Sequence, residues 1–296
     1  MRIHAISWTS GALLAVTLAF PAAAADLGRM PAKAPMVAPP PPFTWSGCYI
    51  GGFVGGAFTS DDPVFTDLGN GLFPSFSGGI VPGALGGPGL HAFAVPVDSS
   101  SFIGGGTVGC NWQPVGSPFV FGIEGEVGYM KLSGAAFDPF VNATVLSPVP
   151  DVLGAARIGD WYAMATGRIG YAFGTWMLYV KGGAAFVPTK ASVIDNCFAG
   201  GCGNWQIATF NDDTATVGTV GGGVEWAFAP NWSVKAEYMF IALGGHGTTS
   251  CGTATILGTG VAVPGGAFCF AHDFPDINTV KVGINYRFGG LFGLGQ

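Results

Sequence analysis

The stretch PFVFGIEGEVGYMKL, residues 118–132, sets Glu124 and Glu126 two residues apart among Phe, Val, Ile, Gly and Tyr. An unpaired carboxylate in such surroundings costs several kcal/mol or is forced to neutralise, so opposite charges must face these two. The chain has four glutamates, Glu124, Glu126, Glu225 and Glu237, and five bases in comparable apolar settings, Arg168, Lys181, Lys235, Lys281 and Arg287. The chemistry these residues suggest is ion pairing. Catalysis would need a nucleophile or an activated water beside a base. Beyond the first residues the histidines are His91, His246 and His272, and His272 is followed by Asp273. A single His-Asp dipeptide in a loop is ordinary solvated chemistry, so the chain is not expected to be an enzyme. Gly104, Gly106 and Gly109 match the spacing of a dinucleotide-binding fingerprint, but no helix follows to receive a phosphate. They are better read as small residues that make room. A net charge of -6 with no basic cluster argues against nucleic acid.

Composition limits what can hold these groups. Only 9% of the 296 residues are charged, against about 25% in soluble domains, and the mean hydropathy is +0.47. A membrane is implied, yet the long uncharged stretches 68–97 and 101–123 are broken by Pro74, Pro82, Pro88, Pro96, Pro114 and Pro118. A spanning helix needs about 20 apolar residues that can stay helical. The first 25 residues, with Arg2, an apolar run from about Gly11 to Phe20 and Ala22 to Ala25, read as a cleaved secretory signal peptide. Residues 26–44 follow as a proline-rich periplasmic arm. The barrel is placed at 45–288 and a short tail at 289–296.

Period-two alternation supplies the positioning elements. In TVKVGINYRF, Val280, Val282, Ile284, Tyr286 and Phe288 share one face, while Lys281, Gly283, Asn285 and Arg287 share the other. The same split runs through 46–58, 101–112, 118–132, 161–173, 176–186, 214–228 and 231–243, which makes eight strands. Connections 113–117, 174–175 and 229–230 are short; 59–100, 132–160, 187–213 and 244–278 are long. The reading is all-β, an eight-stranded antiparallel up-and-down transmembrane barrel with short periplasmic turns and four long extracellular loops. The nine charges then face the lumen, where a paired network is tolerated because a closed barrel satisfies its own backbone. All 13 Asp fall outside the expected strand interiors, so the outer surface reads as acidic.

WSGCYIGGFVGG, GGGTVGCNWQ, FVFGIEGE, GRIGYAF with WMLYVKGG, and VGGGVEWAFAPNWSVKAEYMF with VKVGINYRF resemble the small eight-stranded outer-membrane barrels of Gram-negative bacteria known as outer-membrane immunogenic or porin-family proteins. The resemblance covers roughly Trp45 to Phe288. It implies an abundant, surface-exposed cell-envelope protein with structural and antigenic roles. It also implies insertion by the barrel-assembly machinery, which recognises a terminal aromatic; here Tyr286 and Phe288 close the barrel and GGLFGLGQ follows. Where relatives carry aromatics, this chain has Cys48 and Cys110 at mirrored, lipid-facing positions of strands 1 and 2. Facing positions on neighbouring strands come within about 4.5–5.5 Å, so the two either bridge or remain small thiols.

Export through an oxidising compartment favours two loop disulfides, Cys197 with Cys202 and Cys251 with Cys269. A zinc alternative using His246 and His272 fits no tight ligand spacing, so neither metal nor cofactor is expected. Two functions remain open. One is a structural barrel in the outer membrane whose ion pairs fill a lumen just wide enough for side chains. The other is a narrow channel, if inward Gly51, Gly55, Gly105, Gly109, Gly170 and Gly221 leave space for water and ions. Expected partners are outer-membrane lipid and lipopolysaccharide. The long loops, with Phe58, Phe65, Phe73, Phe76 and Phe93, could reach lipopolysaccharide, and their acidity favours divalent cations bridging to its phosphates.

Overall fold

A computed structural model describes residues 43–69, 91–138, 152–197 and 205–288 of the chain. Fourteen strands are found there: β1 (Gly47–Phe58), β2 (Val64–Gly69), β3 (His91–Ala94), β4 (Ser100–Trp112), β5 (Phe119–Tyr129), β6 (Lys131–Phe137) and β7 (Val152–Gly159). After them come β8 (Tyr162–Phe173), β9 (Trp176–Cys197), β10 (Trp205–Ala229), β11 (Trp232–Ile241), β12 (Gly247–Ile256), β13 (Ala262–Asp273) and β14 (Ile277–Phe288). No helix among the described residues is long and apolar enough to cross a membrane. The crossing elements are strands.

Eight strands close a ring in the order β1, β4, β5, β8, β9, β10, β11, β14 and back to β1, each pair antiparallel. Closure leaves no unpaired edge, which is the condition for a sheet to stand in lipid. Alternation decides the faces. Ile50, Val54, Phe102, Ile123, Ile169, Val180, Val220 and Val282 point outward and are exposed, while the four glutamates with Arg168, Lys181, Lys235 and Lys281 point inward and are buried. Aromatic pairs rim one end, among them Trp176 stacked on Trp226 at 5.5 Å and Trp232 against Tyr286 at 5.0 Å. The turns at this end are tight, and Gly116 and Gly174 sit at φ +74° and +67°, where a side chain would be strained.

The other end differs from the expectation of long loops. Each ring strand continues outward as strand, either unbroken, as β9 and β10 do over 22 and 25 residues, or after a short kink. Thus β5 runs into β6 across Met130, β7 into β8 across Asp160 and Trp161, β11 into β12, β13 into β14, β1 into β2 and β3 into β4. The continuations pair with one another in the order β3, β2, β13, β12, β10, β9, β7, β6. Asp98 N–H donates to Ser133 C=O at 3.1 Å across the remaining seam. Asp67, Asp195, Asp212, Asp213 and Asp273, expected in loops, therefore lie within strands.

At the kink of the β7–β8 strand, Asp160 takes φ +86° and its N–H donates to Met130 C=O at 2.7 Å. Pro188 of β9 has no N–H to give, and it sits where β9 exchanges β8 for β7 as a neighbour, between the pairs Phe186–Ala163 and Thr189–Ile158.

Inside this outer section is a packed apolar core of Phe65, Phe93, Val95, Ile158, Val193, Ile207, Phe270 and Phe274. Each such side chain removed from water is worth about 1.5–3 kcal/mol. Hydrophobic side chains thus face lipid in one half of the barrel and the interior in the other.

Candidate functional site

The lumen of the ring is the candidate site, and register explains how its long charged side chains fit. Arg168 lies opposite Gly122, Lys181 opposite Gly221, Lys235 opposite Gly283 and Lys281 opposite Gly55. Each buried cation has a glycine beside it on a neighbouring strand. A Cβ on Gly283, for instance, would stand 3.3 Å from Lys235 Cε.

Lys181 Nζ is the hub, at 2.7 Å from Glu124 Oε1, 2.8 Å from Glu237 Oε1 and 3.7 Å from Glu126 Oε2. Lys281 Nζ donates to both oxygens of Glu126, at 2.6 and 2.8 Å, and lies 2.9 Å from Glu237. Lys235 Nζ reaches Glu124 Oε2 at 3.0 Å. Arg168 Nη1 donates to Glu225 Oε2 at 3.2 Å and Nε to Asn111 Oδ1 at 2.8 Å, with its guanidinium over the rings of Tyr49 and Tyr179. Three tyrosine hydroxyls complete the carboxylates: Tyr49 to Glu124, Tyr162 to Glu126 and Tyr179 to Glu237. Ser233 and Asn285 donate to Glu225. Carboxylate oxygens of Glu124, Glu126 and Glu237 converge within 4.8 Å, a spacing that could hold a metal ion. The lysine ammonium groups already sit among them.

Of the nine charges expected in the network, eight meet in this way and Arg287 does not. It lies at the rim of the ring, where Nη2 donates to Pro230 C=O at 2.8 Å and its guanidinium covers the rings of Phe43 and Trp45. No carboxylate of the described residues is within ion-pair distance of it. Phe43 packs edge-on against Trp45, and Trp45 is buried with Val120, Met177 and Ala227 across the mouth. Phe43 and Thr44, assigned by sequence to the arm, thus belong to the barrel body. On the far side of the charges Phe53, Ile103, Met130, Met164 and Met239 form an apolar layer. The sequence did not show that the lumen is layered in this way.

The space beside the inward glycines is taken by neighbouring groups. A Cβ on Gly51 would strike Asn285, on Gly109 the Tyr49 hydroxyl, on Gly105 the Phe53 ring, and on Gly170 the sulfur of Met177. At Gly55 and Gly221 neighbouring backbone stands in the way. The cavity at the Trp45 mouth has a volume of about 10 Å³, room for about one water.

Cys48 and Cys110 are cross-strand partners and are joined by a disulfide, as are Cys251 and Cys269. Those thiols are therefore not available to zinc. His246 meets Asp213 at 3.0 Å, and His272 Nε2 meets Ser250 Oγ at 2.7 Å. The Ser250–His272 contact, which the sequence did not suggest, is sealed in the outer core, where burial lowers the His272 pKa to about 4. Cys202 lies outside the described residues, as do 1–42 and 289–296. Tyr286 faces outward opposite Ile50, and Phe288 ends β14 opposite Cys48.

The family described as "Outer membrane protein beta-barrel domain" matches residues 12–288. The 31 kDa outer-membrane immunogenic proteins of Brucella melitensis biotype 1 and Brucella suis biovar 1 are each 27% identical over 282 residues, covering 94% of this chain and 98% of theirs. Among solved structures, OprG of Pseudomonas aeruginosa is 10% identical with a TM-score of 0.42, covering 83% of this chain and 99% of its own. Ail of Yersinia pestis is 12% identical with a TM-score of 0.34, covering 83% of this chain and 100% of its own. Overlays at that level carry no functional argument.

Proposed function

The chain belongs to the outer membrane protein beta-barrel domain family, and from that premise we propose that it is a structural, surface-exposed barrel with a closed lumen. It lies in the outer membrane. The observation that carries the proposal is the filling of the ring: four acids and four bases in mutual contact, capped by Trp45 on one side and by Phe53, Ile103 and Met239 on the other. An eight-stranded barrel is just wide enough for such side chains, and these groups hold one another by charge-assisted bonds that water would have to replace. On this reading the protein contributes to envelope integrity and to surface contacts, and it is not an enzyme. The reading against catalysis rests on where the candidate groups lie. Glu124, Glu126 and Glu237 are committed to lysines and tyrosines, Glu225 to Arg168, Ser233 and Asn285, and the Ser250–His272 contact is buried.

The test is single-channel recording of the refolded mature chain in a planar bilayer, with folding checked by heat-modifiable gel mobility. A silent bilayer is expected, both for the wild type and for Glu124→Ala, because the apolar layer persists when one charge is removed. Reproducible openings whose size changes in Arg168→Ala or Glu124→Ala would make the charged layer a permeation path and overturn the proposal.

A further inference from the structure

The lipid-facing surface of the ring carries no charged side chain from the aromatic rim up to Tyr129 and Trp161. The first cations above it occur together. Arg157 of β7 and Lys190 of β9 are direct cross-strand partners, and Lys131 of β6 stands diagonally beside Arg157, two residues from Ser133, which pairs with it. Outside the lumen and its rim these are the only Lys or Arg among the described residues. The outer section is otherwise strongly acidic, so a single basic spot on it is a local inversion of sign.

Two registered rows cross four strands at this place. The row nearer the membrane reads Ser133, Arg157, Lys190, Asp212; the next reads Ala135, Ala155, Ser192, Phe210. Small side chains in the second row leave a trough of about 630 Å³, with Phe210, 70% exposed, along one wall and the two cations at its lower edge. The cations are only lightly committed. Arg157 uses Nη1 alone toward Asp160, at 3.3 Å, and Lys190 meets Asp212 at 2.8 Å with both side chains well exposed. Exposed pairs of this kind contribute about 0–1 kcal/mol and yield to a stronger anion. No carboxylate of the described residues lies within ion-pair distance of Lys131.

We infer that this trough binds the phosphorylated saccharide headgroup of an outer-leaflet glycolipid, with phosphate on Arg157, Lys190 and Lys131 and a sugar ring along Phe210. The occupant follows from position and charge together. The cations stand immediately above the last lipid-facing side chains, where headgroup phosphates lie, and a guanidinium matches phosphate with two parallel donors. A protein partner would meet a patch flanked by acids and only four strands wide. This inference goes beyond the closed-barrel reading and stands whether or not the lumen conducts.

The experiment uses the mature chain in phosphatidylcholine nanodiscs titrated with a bis-phosphorylated, acylated disaccharide lipid, with bound lipid read by native mass spectrometry. Arg157→Gln/Lys190→Gln is expected to weaken binding about tenfold or more, the order of one to two charge-assisted bonds. Asp212→Asn, which removes the competing acid, should tighten binding. If the double variant loses its heat-modifiable mobility, Ala155→Trp fills the trough without touching a charge and should also weaken binding. Equal binding of the dephosphorylated lipid, or unchanged binding in the folded variants, overturns the inference. So does equal affinity for the soluble deacylated disaccharide, which would remove the membrane as source. Loss of binding on chelation would transfer the contact to divalent cations on the acidic rim and overturn it as well.

Discussion

A buried ion pair is weak evidence for stability by itself, since desolvation offsets attraction, but removing one partner strands the other. Lys281 is the clearest case: it donates to both oxygens of Glu126, sits 2.9 Å from Glu237 and lies over the Phe53 ring. Lys281→Met should cost about 3–5 kcal/mol, and adding Glu126→Gln should recover part of that loss. Urea-dependent unfolding in lipid vesicles measures both; strict additivity would mean the two residues are not coupled. His272 makes a prediction of another kind. Burial against the Phe65 ring lowers its pKa to about 4 from an ordinary value near 6.5. Between these values an opened outer sheet holds a proton that the closed one lacks, so opening becomes easier as pH falls from about 6.5 to about 4 and levels off below. Hydrogen exchange over residues 247–273 at a series of pH values reads this directly, and His272→Gln should remove the dependence.

At the scale of elements, the ring was legible because each strand keeps one phase: Val280, Val282, Ile284 and Tyr286 outward, Lys281 and Asn285 inward. The outward continuations were not legible, for a physical reason visible in β9. Below, its apolar residues Trp176, Leu178 and Val180 face out; above, Val187, Ala191 and Val193 face in, with Lys190 and Ser192 outside. Alternation persists but its polarity inverts where lipid gives way to water. A search for apolar-out residues ends there and reports a loop. The charge network was legible as a set of residues, because only opposite charges could meet Glu124 and Glu126. Its glycine partners and its exclusion of Arg287 depended on register, which turn lengths alone did not supply. A strand reading of 187–195 and 207–215 has a measurable consequence. Their amides should exchange slowly, as those of the ring do, whereas a loop would lose protection in seconds.

At the scale of the molecule, one sheet serves two solvents. The ring holds charges inside and offers aliphatic and aromatic side chains to lipid; the outer section holds Phe65, Phe93, Phe270 and Phe274 inside and offers small and charged side chains to water. Stacked along the axis are an aromatic mouth, a charged layer and an apolar core, so no single substitution is expected to open a path through all three. The same continuity restricts how such a chain can change in length. Along β9 and β10, adding or deleting one residue would turn every inward side chain beyond it to the outside. Insertions there are tolerable in matched twos or at the tips, a parity rule that a free loop would not impose.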